Sequence, residues 1–182
     1  MMSDKTMNDT LFLDRDGVVN VQLVGDYVKK PSEFVLRDDF VRAIPFLKQH
    51  FRRFILVTNQ QCIGKGICTR ADVDEVHRHM CQLLEREGFR FDAIYLCPHV
   101  AGSGCGCRKP ETGMMQQALA DFPDIDLSHS LMVGDSLTDM QFGRAAGLRT
   151  LYIGAVTPDN REAITAISDL ISPTLLQYVQ NL

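Results

Sequence analysis

The sequence predicts an α/β protein with a doubly wound, mostly parallel sheet and helices on both faces. Three observations favour this fold class. Short apolar runs rich in β-branched residues recur along the chain, as is typical of strands buried on both faces. Stretches with helical periodicity lie between these runs, and polar residues follow the ends of several of them. Alternating strands and helices are typical of a parallel sheet.

Five runs are predicted strands. In chain order they are TLFLD, RFILVTN, DAIYLCP, SLMVGD and RTLYIG. Four stretches between or after them are predicted helices: DDFVRAIPFLKQHF, TRADVDEVHRHMCQLLEREG, TGMMQQALADF and SLTDMQFGRAAG.

The second of these helices has the clearest boundaries. Thr69 can cap its start, Asp72 follows three residues later as in a capping box, and Gly88 can end it. Its apolar stripe is predicted to pack in the core and consists of Val73, Val76, Met80, Leu83 and Leu84. The histidines of this helix, His77 and His79, are predicted to lie on its surface.

Composition excludes several functional classes. The chain has 182 residues, 45% of them hydrophobic, which predicts a single domain over residues 1–182 with a sizeable core. The formal net charge is −4 and no basic stripe occurs, so we expect no nucleic-acid partner. The polar start does not resemble a signal peptide, and no apolar stretch is long enough to span a membrane. We therefore expect a cytoplasmic monomer.

Acidic residues follow two of the predicted strands. Asp14 ends the first strand with Asp16 just beyond it, and Asp135 ends the fourth. Because ligands of such sheets bind beyond the carboxyl ends of the strands, we expect these groups to converge. Carboxylates of Asp14 and Asp135, with the backbone carbonyl of Asp16, form an oxygen-rich site suited to Mg²⁺. A shared metal requires the first and fourth strands to be neighbours.

The spacing of these acids also predicts covalent chemistry at phosphorus. Asp14 can attack a phosphoryl group to form an aspartyl-phosphate, and Asp16 can act as the general acid and base. Thr58, at the end of the second strand, can bind phosphoryl oxygens, and Lys109 can neutralise their developing charge. Gly17 lets the backbone turn away behind the acids.

A second cluster lies in the segment CPHVAGSGCGC. Cys97, His99, Cys105 and Cys107 have the spacing C-x-H-x5-C-x-C. Three thiolates and one imidazole suit tetrahedral, structural Zn²⁺, which predicts a zinc loop at 97–107. The alternative is a glycine-rich loop with unliganded thiols or an adventitious disulfide. Cys62, Cys68 and Cys81 are predicted to be ordinary small or buried residues.

Four motifs together carry a family resemblance. The segments DRDGVVN, VTNQ, CRKP and GDSLTDM occur in that order. The chain resembles the haloacid-dehalogenase-like phosphatases, in the branch that includes enzymes acting on heptose bisphosphate and on histidinol phosphate. The resemblance implies the same roles for Asp14, Asp16, Thr58 and Lys109, magnesium held by Asp14, Asp16 and Asp135, and a zinc loop. The intervals between the motifs hold only the predicted strands, helices and loops, so we expect a capless domain.

The resemblance also implies a small phosphorylated sugar as substrate. The residues that it implies in substrate binding are Asn20, Asn59, Gln60, Gln61 and Arg108. Tyr27 and Lys65 lie in segments that match the heptose-bisphosphate enzymes, and Lys65 could meet a second phosphate. Heptose 1,7-bisphosphate is therefore the preferred substrate, with histidinol phosphate as the alternative.

A receiver-like domain, which accepts phosphate on an aspartate without turnover, is the alternative from another functional class. In receiver domains the phosphoacceptor lies on the third strand, whereas Asp14 ends the first. Asp16 is also placed to hydrolyse an acyl phosphate. These two features favour an enzyme.

Overall fold

The computed structural model describes residues 7–182. The first six residues, which belong to the polar start that does not resemble a signal peptide, lie outside the described residues. The strands are β1 Asn8–Leu13, β2 Phe51–Asn59, β3 Ala93–Cys97, β4 Leu131–Gly134, β5 Arg149–Ile153 and β6 Leu170–Ser172. The helices are α1 Asp38–His50, α2 Arg70–Arg86, α3 Gly113–Asp121, α4 Leu137–Ala145, α5 Arg161–Ile167 and α6 Leu175–Val179.

The six strands form one sheet in the order β3-β2-β1-β4-β5-β6, and each pairing is parallel. The chain first extends the sheet on one side of β1, then returns to β1 and extends it on the other side with β4. The predicted adjacency of the first and fourth strands is confirmed: Leu13 lies opposite Val133. The point at which the strand order reverses therefore lies between β1 and β4.

The core lies on both faces of this sheet, as the fold class predicts. Leu11 and Leu13 pack on one face with α1, α2 and α6, while Phe12 packs on the other with α3 and α4. All three side chains are fully buried. Successive residues of a strand point to opposite faces, so β1 contributes to both cores at once.

Helix α2 begins as the sequence predicts. The Thr69 side chain accepts a hydrogen bond from the Asp72 backbone, and the Asp72 carboxylate accepts one from the Thr69 backbone. Elements β6, α5 and α6 were not predicted, since three to seven residues are too few to establish a period. No helix within residues 7–182 is both long and apolar enough to cross a membrane.

Candidate active site

The reversal of strand order between β1 and β4 brings the predicted acids together. The Asp14 backbone N–H donates to Val133 O over 3.0 Å, which joins the two strand ends. Carboxylate oxygens of Asp14, Asp135 and Asp139 lie within 4.8 Å of one another. Asp139 belongs to the first turn of α4, which follows β4 after two residues. Two strand ends and one helix start therefore supply one acidic cluster.

Two glycines make this close approach sterically feasible. Gly17 has φ +85°, and a Cβ built there would collide with Oδ2 of Asp135. A Cβ built on Gly134 would collide with the Asp139 side chain. Gly17 is thus needed both for the turn after Asp16 and for the space that Asp135 occupies.

Lys109 lies at the centre of the acids. Its ammonium group is 2.7 Å from Asp14 Oδ1 and 2.6 Å from Asp139 Oδ1, and it donates to Val57 O over 2.8 Å. The side chain is 2% exposed. Burial alone would lower the pKa of Lys109, but the carboxylates of Asp139 and Asp14 outweigh burial and raise it. The ammonium therefore stays charged.

The acids carry more negative charge than one lysine can compensate. Burial, followed by the influence of neighbouring carboxylates, raises the pKa of Asp14 to about 8 although Lys109 opposes this. Burial and the Asp139 carboxylate raise the pKa of Asp135 to about 7. Burial and mutual repulsion thus both disfavour the ionised carboxylates, and a hard divalent cation bound by their oxygens would offset both effects.

Asp16 lies at the edge of this cluster and is held by several donors. Arg15 Nη2 donates to both of its carboxylate oxygens over 3.0 Å. Asn20 Nδ2 donates to Oδ1 over 3.0 Å, and Gln60 Nε2 donates to Oδ2 over 2.9 Å. Burial alone would raise the pKa of Asp16, but these donors lower it below the ordinary aspartate value. The orientation of Asp16 is therefore fixed before any ligand binds.

Two residues expected to contact substrate lie beneath Asp16 instead. Asn20 is fully buried and Gln60 is 1% exposed. Gln60 also donates to Thr58 Oγ1 over 2.9 Å, which leaves the proton of the buried Thr58 hydroxyl free to donate. We therefore assign Asn20 and Gln60 to orienting Asp16.

The other three residues expected to bind substrate lie nearer the surface. Asn59 exchanges hydrogen bonds with the Lys109 backbone over 3.0 and 3.2 Å. It thus anchors Lys109, although it also lines the adjoining cavity. Gln61 donates to Tyr27 Oη over 3.0 Å, and Arg108 Nη1 donates to His99 O over 3.2 Å.

The prediction that His77 lies on the helix surface is wrong. Its side chain is buried at 6% exposure, and Arg15 Nη1 lies 3.2 Å from His77 Nε2. Position 77 follows Val73 by four residues and precedes Met80 by three, so helical spacing alone puts it on the buried face. The polarity of histidine obscured this placement. Cys62 and Cys68 are buried and Cys81 is half-buried, as predicted.

The predicted zinc-loop residues lie together, with Cys97 as the last residue of β3 and the other three in the loop that follows. Cys107 Sγ is 3.1 Å from Cys97 Sγ and 3.3 Å from His99 Nδ1, and Cys97 Sγ is 3.6 Å from Cys105 Sγ. Two thiolates at about 2.3 Å from a tetrahedral zinc are about 3.8 Å apart. The four donors therefore fit a closed zinc site with slight expansion.

A cavity of about 210 Å³ opens above the acids. Asp14, Asp16 and Asp135 line its floor, and its walls include Tyr27 and Arg108. A second cavity of about 380 Å³ runs along residues 100–105 of the zinc loop. The two cavities share Arg108, Lys109 and Thr138 and therefore adjoin, and together they are called the groove below.

Comparisons with known proteins agree with this fold. A family model described as HAD-hydrolase-like matches residues 106–177. The D-glycero-alpha-D-manno-heptose-1,7-bisphosphate 7-phosphatase of Mycobacterium tuberculosis is 41% identical over 131 residues, which cover 72% of this chain and 69% of that protein. The D-glycero-D-manno-heptose-1,7-bisphosphate 7-phosphatase of Chlorobaculum tepidum is 36% identical over 85% of this chain and 81% of its own length.

A solved structure is similar over almost the whole chain. It is the D,D-heptose 1,7-bisphosphate phosphatase of B. bronchiseptica complexed with magnesium and phosphate, with a TM-score of 0.82 and 31% identity. The similarity covers 95% of this chain and 97% of that one. The fold and the acidic site define a haloacid-dehalogenase-like phosphatase. Within this class, the chain belongs to the family of the heptose-1,7-bisphosphate 7-phosphatases.

Proposed function

We propose that the protein hydrolyses the 7-phosphate of D-glycero-D-manno-heptose 1,7-bisphosphate through an aspartyl-phosphate. The observation that carries this proposal is the grouping of Asp14, Asp16 and Lys109 on the floor of a groove whose wall contains Arg108. The names of the relatives supply the sugar.

In the first half-reaction, a carboxylate oxygen of Asp14 attacks phosphorus and the bond from phosphorus to the sugar oxygen breaks. Asp16 gives its proton to that departing oxygen. The donors around Asp16 favour its ionised form, whereas the negative phosphoryl group favours protonation when substrate binds. Lys109, 2.7 Å from Asp14, compensates charge on the phosphoryl oxygens.

In the second half-reaction, water attacks the phosphorus of the aspartyl-phosphate and Asp16 takes a proton from that water. The bond between phosphorus and the Asp14 oxygen breaks, which releases phosphate and restores the carboxylate. The Thr58 hydroxyl, whose proton is free, is proposed to donate to a phosphoryl oxygen in both steps.

Asp14 and Asp135, with the backbone carbonyl of Asp16, are proposed to hold the magnesium ion. Bound magnesium supplies positive charge that favours ionised carboxylates and orients a phosphoryl oxygen. Asp139 is less suited as a ligand, because one of its oxygens is paired with Lys109 and the other accepts hydrogen bonds from Ser136.

Cys97, His99, Cys105 and Cys107 are proposed to bind structural zinc. A closed site would stiffen the loop directly before Arg108, whose guanidinium also donates to the His99 carbonyl. The 1–182 single-domain organisation and the monomeric state stay predictions.

The groove favours an extended, anionic substrate. Arg108 lies where the two cavities meet, and a guanidinium binds a phosphate or paired sugar hydroxyls through a fixed fork of donors. The acidic wall residue Asp26 is already paired with Lys29 over 2.6 Å. Lys65 donates to Tyr27 Oη over 2.9 Å, so it supports the wall through that tyrosine.

Phosphate release from heptose 1,7-bisphosphate and from histidinol phosphate, measured side by side with magnesium, tests the substrate. We expect a much higher kcat/KM for the heptose bisphosphate, and Arg108→Ala should narrow the difference. Arg78→Ala, on helix α2, is the matched control. A higher kcat/KM for histidinol phosphate would transfer the assignment to that substrate and leave the roles of Asp14, Asp16 and Lys109 unchanged.

A further inference from the structure

A buried arginine links helix α2 to the proposed acid/base. Arg15 lies between Asp14 and Asp16 in the sequence and is fully buried. One end of its guanidinium donates to both oxygens of Asp16 over 3.0 Å, and the other lies 3.2 Å from His77 Nε2. Arg15 Nε has no hydrogen-bond partner among the residues described.

The contact fixes the chemical state of the histidine. Arginine has only donors, so the Nε2 atom of His77 must accept and its proton must lie on Nδ1. Burial and the nearby Arg15 charge also lower the pKa of His77 to about 3, which keeps the ring neutral. His77 is thus an acceptor for a buried cation.

We propose that His77 is a positioning residue for Asp16, acting through Arg15. Without an acceptor at position 77, Nη1 would join Nε as a second unpaired buried donor of the same guanidinium. Leaving such a group unpaired is costly, so the guanidinium would turn towards other acceptors. Asp16, held through both oxygens, would move with it. The inference rests on the proposed role of Asp16 as acid and base.

Two variants of similar size separate hydrogen bonding from packing. His77→Gln retains an acceptor oxygen, whereas His77→Met fills similar space without a comparable acceptor. His79→Met is the control, because His79 lies on the same helix and is half-buried. Its ring packs edge-on against the Phe34 ring, with the two ring centroids 6.4 Å apart. Hydrolysis of 4-nitrophenyl phosphate with magnesium is used, since it does not depend on the identity of the sugar.

We expect His77→Met to lower kcat about tenfold with KM little changed, as is reasonable for a displaced catalytic group. Acid-quenched samples should contain a larger fraction of aspartyl-phosphate, because Asp16 activates the water in the second step. His77→Gln should restore most of kcat, and His79→Met should behave as the unmodified protein. An equal loss of kcat in His77→Gln and His77→Met would overturn the proposal, and so would an unchanged kcat in His77→Met.

A measurement on the unmodified protein tests the contact independently of turnover. Long-range ¹H–¹⁵N spectra of the histidine rings, assigned by the loss of one ring in His77→Gln, report the tautomer. We expect a neutral His77 with its proton on Nδ1 at neutral pH. A proton on Nε2, or a charged ring, would overturn the proposal even if phosphatase activity is present.

Activity on 4-nitrophenyl phosphate without activity on the heptose bisphosphate would overturn only the proposed substrate.

Discussion

Replacing Asp139 by asparagine tests how Lys109 is held in place. The Asp139 side chain is 2% exposed, with Oδ1 2.6 Å from Lys109 Nζ. Its Oδ2 accepts from the Ser136 backbone over 3.1 Å and so caps helix α4. Asparagine keeps the size but offers one acceptor oxygen instead of two. It can serve either Lys109 or Ser136, and it carries no charge.

The expected loss of stability follows from what Lys109 retains. Removing one partner of a buried ion pair commonly costs about 3–5 kcal/mol. Here Lys109 keeps Asp14 at 2.7 Å and Val57 O at 2.8 Å, so the loss is closer to one hydrogen bond to a charged group, about 2 kcal/mol. For a chain of this length that corresponds to about 4–8 °C in Tm.

Urea unfolding followed by circular dichroism measures this loss, and thermal unfolding checks it, both with magnesium present to compensate the negative charge of the acids. Asp74→Asn is the matched control, because Asp74 forms an exposed ion pair with Arg70 at 2.8 Å within helix α2. Such pairs contribute about 0.5 kcal/mol or less. If Asp139→Asn destabilises the protein no more than Asp74→Asn, Asp139 does not hold Lys109 and the reasoning is refuted.

Three further predictions concern the nucleophile and the metals. Asp14→Asn should lower kcat on 4-nitrophenyl phosphate by several orders of magnitude with the fold retained by circular dichroism; near-normal turnover would exclude the covalent route. Cys107→Ser should remove about one zinc per chain by elemental analysis and lower Tm, unlike Cys81→Ser; protein that contains no zinc before substitution contradicts this. Because the folded pKa values of Asp14 and Asp135 are raised to about 8 and 7 from 3.8, stability without magnesium should fall as pH rises from 6 to 9. Magnesium should therefore raise Tm more at pH 8.5 than at pH 6 when zinc is present at both pH values. An equal rise in Tm at the two pH values would contradict the raised pKa values.

The sequence predicted those features that follow from a local pattern or from a shared chemical role. The capping box of Thr69 and Asp72 needs only two residues at a fixed spacing, and the structure contains it. The adjacency of β1 and β4 followed from the demand that Asp14 and Asp135 share a ligand. The first argument rests on residue spacing alone, and the second rests on the chemistry of two carboxylates that bind one ion.

Individual side-chain contacts between distant segments could not be predicted in this way. Ser136 and Asp139 have capping-box spacing, but nothing local indicates that Asp139 also pairs with Lys109. The side chains of Asn20 and Gln60 are plausible substrate ligands by residue type, yet they turn inward to Asp16. Their directions depend on how the loops after β1 and β2 pack, which no sequence period encodes.

The position of β1 in the middle of the sheet has a consequence for synthesis of the chain. Leu13 pairs with Leu56 on one side but with Val133 on the other. At about 5–20 residues per second, a ribosome makes the roughly 120 residues between Leu13 and Val133 in on the order of ten seconds. During that interval the apolar edge of β1 has no permanent neighbour on one side, so it is open to pairing with other nascent chains. The phosphatase site, whose acids follow these same two strands, can form only when that exposure ends.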